Sequence, residues 1–166
     1  MDPATPEEQL AALEKKASGL RGEDLFDDLP DLARRAFNAG EVDKAENYAQ
    51  QLLKMAPDYP KSWNYGNAIF DGNAILGRVA LRRGDVKAAD SYLMAAGATP
   101  GSPQLDSFGP NMTLAKELLE KGQKDLVLQF FELCRHFWDS DFGKLDQWSA
   151  EVRQGKIPAF GGNLKY

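Results

Sequence analysis

The chain has 166 residues, of which 43% are apolar and 27% are charged, so its composition predicts one globular domain and excludes a disordered chain. It contains no run of about 18 apolar residues, which excludes a membrane-spanning helix. The first residues lack the basic and apolar regions of a signal peptide, so we expect a cytoplasmic protein. A single cysteine, Cys134, excludes an intrachain disulfide.

The net charge of −5 is carried by residues 1–28, in which acids outnumber bases, while the rest of the chain is balanced. We predict that residues 1–28 form an acidic N-terminal helical segment. Acidic segments are repelled by nucleic acids and by anionic membranes, which argues against both as partners.

Helical spacing of apolar residues dominates the chain and strand-like alternation is nearly absent, so we predict an all-α fold. One predicted helix begins near Pro30, with Asp28 as its cap, and ends before Gly40. We expect residues 97–110 to form a turn-rich loop and residues 155–166 an irregular tail. The other predicted helices cover residues 6–18, 42–55, 62–83, 86–96, 111–120, 124–138 and 144–153.

Three segments share one pattern, a leucine followed by a small residue and then, seven positions later, a glycine. The sets are Leu32-Ala33 with Gly40, Leu76-Gly77 with Gly84, and Leu114-Ala115 with Gly122. The first two segments continue with an acid and a valine and place Ala45 and Ala89 at matching positions. Over about residues 29–138 this pattern resembles the tetratricopeptide repeat, a helix–turn–helix unit of about 34 residues. The spacings of 44 and 38 residues between the glycines are longer than that period.

The resemblance implies an α-solenoid of about three antiparallel helix pairs within residues 29–154, closed by a capping helix. It also implies a concave groove that binds proteins or peptides rather than performing catalysis. In this family, ligands often contact the residue after the small one, which here is Arg34, Arg78 or Lys116. Asn38, Arg82 and Glu120 follow one turn later. Because guanidinium and amide donors bind carboxylates well, we expect the groove to select carboxylates or acidic peptides.

The segment "WNYGNAIFDGNAILGR", residues 63–78, contains three glycines within a predicted helix. Without a preceding strand or a Gly-Lys-Ser/Thr ending it is not a phosphate loop. A helical wheel places Gly66 and Gly77 on the packed face, where we expect them to allow close helix contact. Asn73 falls on the same face, so we expect its amide to hold a loop, whereas Asn67 should face a ligand. The polar stripe contains Asn64, Asn67, Asp71, Arg78 and Arg82.

The predicted binding residues are therefore Arg34, Asn38, Asn64, Asn67, Asp71, Arg78, Arg82 and Lys116. The groove could also be filled from within the chain, by the acidic first segment or by the carboxylate of Tyr166. A loop around Phe108, Asn111 and Met112 is a further candidate part of the site.

Catalysis has little support in the sequence. Cys134 and His136 lie on different sides of one helix and cannot form a nucleophile–base pair there. One cysteine and one histidine do not make a zinc site, and we expect no cofactor or metal. A structural or self-associating subunit is the alternative function, and an enzyme is less favoured. Six aromatic residues are predicted to lie mainly in the core, and any exposed remainder would be the self-association surface: Phe130, Phe131, Phe137, Trp138, Phe142 and Trp148.

Overall fold

The computed structural model describes residues 3–165, and this part of the chain is all-helical, without a strand. No helix in it is both long enough and apolar enough to cross a membrane. Short 3₁₀ turns lie at Ala56–Asp58 and Gly161–Leu164. The helices are α1 (Pro6–Ala17), α2 (Gly22–Asn38), α3 (Val42–Met55), α4 (Tyr65–Arg82), α5 (Val86–Gly97), α6 (Pro103–Phe108), α7 (Thr113–Glu120), α8 (Lys124–Cys134) and α9 (Lys144–Arg153).

The three glycine turns predicted from the repeated pattern are confirmed. Gly40, Gly84 and Gly122 have φ of 78°, 80° and 83°, in the left-handed region that glycine tolerates best. In each turn the glycine N–H donates to the carbonyl three residues back, and the next N–H donates to the carbonyl five residues back. This is the Schellman motif, which satisfies the last carbonyl groups of a helix. Each glycine therefore ends one helix and starts the turn to the next.

The predicted start of the second helix at Pro30 is wrong. Helix α2 begins at Gly22 and contains Pro30 as a buried residue, so Asp28 lies within the helix and does not cap it. Glu23 and Asp24 occupy its first turn, where carboxylates interact favourably with the helix dipole. The predicted acidic segment 1–28 consequently contains α1 and the first part of α2.

Other boundaries differ by smaller amounts. The loop predicted over residues 97–110 contains helix α6, whose first turn is capped by Ser102: its hydroxyl accepts a hydrogen bond of 3.0 Å from the N–H of Leu105. Helix α8 ends at Cys134, four residues earlier than predicted, and a turn follows. The predicted helices over residues 42–55 and 144–153 are confirmed to the residue.

The first five helices pack in chain order, each against the next. Helix α4 also contacts both α2 and α7, so these three helices adjoin one another in the order α2, α4, α7. The C-terminal helices bury an aromatic core to which five of the six predicted aromatic residues belong. Phe142 is the exception, because its side chain is 90% exposed on the turn before α9. Cys134 is fully buried in the same core, and burial raises the pKa of its thiol.

The glycines of α4 allow close contacts with its neighbours. A Cβ atom at Gly66 would overlap the backbone carbonyl of Gly101, and one at Gly77 would overlap the side chain of Leu114. At Gly72 it would lie 2.7 Å from Leu53. The packing role predicted for Gly66 and Gly77 is confirmed, and Gly72 shares it.

We expect Gly66→Ala to destabilise the fold by about 1–3 kcal/mol, because the backbone at Gly101 must move to admit the methyl group. This outweighs the gain of about 1 kcal/mol that alanine normally brings within a helix. Chemical denaturation measures the change. Gly19→Ala is the control: nothing lies within 4 Å of the added atom, so its stability should stay close to that of the parent. Equal stability of the two variants would contradict the packing role.

Candidate functional site: a polar groove between α2, α4 and α6–α7

A groove runs between α2 and α4 and is bordered by α6, the start of α7 and the C-terminal residues Leu164 and Lys165. It has two parts, with volumes of about 190 and 120 Å³, and four residues line both: Pro30, Arg34, Asp71 and Asn111. The first part is otherwise lined by Asp27, Asp31, Asn64, Asn67, Phe70, Gln104, Leu105 and Gly109. The second is otherwise lined by Asn38, Ala74, Ile75, Arg78, Thr113, Leu114, Leu164 and Lys165.

The structure brings six of the eight predicted binding residues to this groove: Arg34, Asn38, Asn64, Asn67, Asp71 and Arg78. Arg82 and Lys116 line neither part. Arg82 is exposed near the end of α4, and its guanidinium carbon lies 4.9 Å from the centre of the Phe37 ring. Lys116 is half-buried on α7. The predicted row of three basic side chains therefore does not line the groove as a unit.

A chain of amide hydrogen bonds connects α2, α4 and α6 across the first part of the groove. The side chain of Asn64 donates to the carboxylate of Asp27 at 2.9 Å, and the side chain of Asn67 donates to Oδ1 of Asn64 at 2.8 Å. Asn67 also donates to Gln104 at 3.0 Å and accepts from the hydroxyl of Ser102 at 2.5 Å. The buried Asn67 amide thus attaches the segment before α6 to α4, which forms one wall of the groove.

The loop-holding role predicted for Asn73 is wrong, and Asn67 has that role instead. Asn67, which was expected to face a ligand, lines the groove but its amide is occupied by its neighbours. Asn73, which was expected to hold the loop, is half-buried and donates to the carbonyl of Ile69 at 2.8 Å within its own helix. The wheel misassigned them because α4 packs against other helices on several sides and has no single solvent-facing stripe.

A second contact holds the same segment to α4. The hydroxyl of Thr99 donates to the carbonyl of Gly66 at 2.7 Å and accepts from the N–H of Gly101 at 3.2 Å. Thr99 is buried, and Gly66 is the position at which a methyl group would overlap Gly101. The close approach at Gly66 and the bonds of Asn67 therefore fix the segment at two neighbouring points.

Asp71 is the carboxylate at the junction of the two parts of the groove. It is half-buried between the two parts, and among residues 3–165 its carboxylate has no hydrogen-bond partner. Removal from water is the main reason why its pKa is raised to about 6. The positive charge of Arg34 opposes this rise, and the negative charge of Asp31 adds to it. Asp71 therefore titrates close to neutral pH.

Two arginines lie near the second part of the groove. Arg78 donates from Nε to Glu117 at 2.5 Å, and its guanidinium lies 4.2 Å from the centre of the Phe37 ring. This leaves the two terminal nitrogens of Arg78 without a hydrogen bond among residues 3–165. Arg34 forms an ion pair of 3.0 Å with Asp31 through one terminal nitrogen. Both side chains thus keep donors for a further acceptor while their positions are restrained.

The C-terminal segment supports the groove from the side of α7. The buried side chain of Asn163 donates to the carbonyls of Phe108 and Pro110, both at 3.1 Å, and its backbone carbonyl accepts from the N–H of Met112 at 2.7 Å. Leu164 and Lys165 line the groove. Tyr166, whose carboxylate was a predicted occupant, lies outside the described residues.

The acidic first helix packs away from the groove. Glu14 of α1 accepts from Tyr48 at 2.7 Å and from Lys44 at 3.0 Å, and both partners belong to α3. The hypothesis that this helix occupies the groove is therefore wrong. Asp27, from the end of the predicted acidic segment, does line the groove, but as part of α2.

The groups predicted to be unsuited to catalysis lie apart from the groove. Cys134 is buried in the aromatic core, and His136 is exposed on the turn after α8. Among residues 3–165, no three histidine, cysteine, aspartate or glutamate side chains are grouped so that they could hold a metal ion.

The sequence analysis missed the groove residues Asp27 and Gln104, and also Ser102, which bonds to the groove residue Asn67. Ser102 carried a usable signal, because a serine followed by proline is typical of a helix start, and a helix there would have placed Gln104 near Asn67. Asn111, from the loop considered as a further part of the site, does line the groove. Asp27 carried no signal, since the helix was expected to start after it.

Comparisons with protein-family models, with curated proteins and with solved structures returned no match for this chain. Its function has to be inferred from the geometry and chemistry of the groove.

We expect Asn67→Ala to destabilise the fold by about 1–3 kcal/mol, because it leaves Ser102 and Asn64 without their partner. It should also increase amide hydrogen exchange across residues 99–105. Denaturation and exchange mass spectrometry measure the two effects. Asn73→Ala, in the same helix, removes only a bond to its own backbone and should change exchange in this segment little. Equal exchange in the two variants would exclude Asn67 as the attachment point.

We expect Asp71→Asn to stabilise the fold at pH 7 by about 1–3 kcal/mol. The pKa of Asp71 is raised in the folded state, so its contribution to the free energy of unfolding falls as pH rises from about 4 to about 6 and is constant above. The variant should lose this slope in denaturation measured between pH 4 and 8. The exposed Asp58→Asn is the control, with a change within about 0.5 kcal/mol. Destabilisation by Asp71→Asn at pH 7 would show that the carboxylate has a structural partner.

Proposed function

We propose that this chain is a non-catalytic binding module whose groove holds a segment of a protein or a peptide. The observation that carries the proposal is the groove itself, which brings together six residues selected from the sequence for binding. Polar side chains with unused donors and acceptors line a concave surface between helices, which is where ligands commonly bind. A cytoplasmic location, and a protein rather than nucleic acid or membrane as partner, belong to the same proposal.

The repeated turns support a tetratricopeptide-like scaffold as the basis of this module. Gly40, Gly84 and Gly122 end three helices with the same hydrogen bonds, and α2, α4 and α7 are the first helices of the three proposed pairs. The four alanines of the pattern are fully buried: Ala33, Ala45, Ala89 and Ala115. In a helical-repeat scaffold the first helices of successive pairs form the concave face, and the groove lies along α2, α4 and α7.

The second part of the groove is suited to a carboxylate. The terminal nitrogens of Arg78 offer the planar pair of donors that a carboxylate accepts, and contact with Phe37 and Glu117 restrains their orientation. Arg34, Asn38 and Lys165 line the same part. We therefore propose that this part holds a C-terminal or side-chain carboxylate of the bound peptide.

A structural or self-associating subunit is the less favoured alternative. It would have used the aromatic C-terminal residues as its interface, but five of those six side chains are buried in the chain's own core. Phe142 alone is exposed, and a single side chain is a small fraction of a stable interface.

We expect the protein to select peptides from a random-sequence display library. Asn38→Trp should obstruct the groove and weaken binding of the selected peptides at least about tenfold. Asn47→Trp, an exposed asparagine of α3 outside the groove, is the matched control and should leave affinity unchanged. Fluorescence anisotropy of labelled peptides measures both.

A second comparison tests the carboxylate. Selected peptides with a free C-terminus should bind more tightly than their amides, and Arg78→Gln should remove this difference. If the two tryptophan variants bind alike, or if no peptide is selected, the groove is not a peptide site. If acid and amide peptides bind alike, the carboxylate assignment alone is wrong.

A further inference from the structure

The two parts of the groove differ in charge. Three carboxylates, of Asp27, Asp31 and Asp71, and one guanidinium, of Arg34, line the first part. The second part has Arg34, Arg78 and Lys165 against the single carboxylate of Asp71. A ligand that spans both parts therefore meets an excess of negative charge at one end and of positive charge at the other.

The carboxylates of the first part retain unused acceptors. Asp27 accepts from Asn64 through one oxygen only, and Asp31 accepts from Arg34 through one oxygen only. Asp71 accepts from no group among residues 3–165. The other polar side chains around it do not supply the missing donor: the Nδ2 of Asn67 is directed to Asn64 and Gln104.

Leaving a half-buried carboxylate without a hydrogen bond costs free energy, and its raised pKa is one consequence. Alternative side chains of the same shape, such as asparagine, would avoid that cost. A donor with a positive charge would bond to Asp71 and would also offset the repulsion among the three carboxylates.

We propose that the first part of the groove binds the lysine or arginine side chain of a partner peptide, with Asp71 as the principal acceptor and Asp27 and Asp31 beside it. This inference rests on the proposed function and specifies that the ligand is positively charged at one end of the groove. The volume of about 190 Å³ is below the roughly 300–1,000 Å³ of sites for whole small molecules, and it suits one long side chain. A peptide with a basic residue at one end and a carboxylate at the other would match both parts of the groove.

Binding of the cation should depend on pH in one direction. A cation binds the ionised form of Asp71, so affinity should fall as pH is lowered through about 6. The charged groups that line the groove with Asp71 are Asp27, Asp31 and Arg34 from α2, Arg78 from α4 itself, and Lys165 from the C-terminal segment. Gln104 and Asn111 are uncharged.

The test uses peptides selected by the full chain from the random-sequence library. We expect them to be enriched in lysine and arginine, and replacement of the basic residue by norleucine should weaken binding at least about tenfold at pH 7.5. Asp71→Asn should make the lysine and norleucine peptides bind alike. At pH 5 the difference between these two peptides should also shrink in the parent protein. Asp90→Asn is the matched control, because Asp90 is half-buried with a raised pKa on α5 and lies outside the groove.

The outcomes separate this inference from the proposed function. If Asn38→Trp blocks the selected peptides while Asp71→Asn does not alter the preference for lysine over norleucine, the groove binds peptides but the cation site is wrong. If Asp90→Asn loses the preference for lysine as much as Asp71→Asn does, the cation site is also wrong, since the loss would then not come from contact with Asp71. If no selected peptide depends on the groove, both proposals fail.

Discussion

The groove exists because the segment before α6 is held against α4. Two contacts do this: the Asn67 amide binds Ser102 and Gln104, and Gly66 lets the backbone of Gly101 approach the helix. They fix the N-terminal end of α6 beside α4, while Asn163 bonds to the carbonyl of Phe108 at its C-terminal end. The buried Asn67 amide is costly unless every bond is made, which gives the attachment its specificity.

The same helix therefore serves packing and binding through residues that are close in sequence. At Gly66, Gly72 and Gly77 the absence of a side chain lets neighbouring segments approach α4 closely on different sides. The helix is therefore enclosed by several others. Enclosure shields Asp71 from water, and this shielding, rather than a nearby acid, is the main cause of its raised pKa. Packing around α4 and the chemistry of the groove are consequently connected.

Local patterns predicted much of the fold. The glycine turns and the helices over residues 42–55 and 144–153 follow from signals carried by a few neighbouring residues. The errors arose where the outcome depends on distant contacts. Pro30 is tolerated within α2 although proline is usual at a helix start, and α6 is short enough that its cap was its main signal. The helical wheel assumed that α4 has one buried face. It therefore placed Asn73 rather than Asn67 at the position that holds the loop.

The groove illustrates why local pattern cannot separate packing residues from binding residues. A glycine within a helix and a carboxylate shielded from water both reduce the stability of a fold. The sequence of α4 does not show which of Gly66 and Asp71 has a packing role and which has a binding role. The structure distinguishes them, because the cost at Gly66 is offset by its contact with the segment at Gly101, whereas among residues 3–165 nothing bonds to Asp71. Departures from local consistency that lack an internal compensation are typical of functional sites. The proposal that Asp71 recognises the ligand rests on this difference.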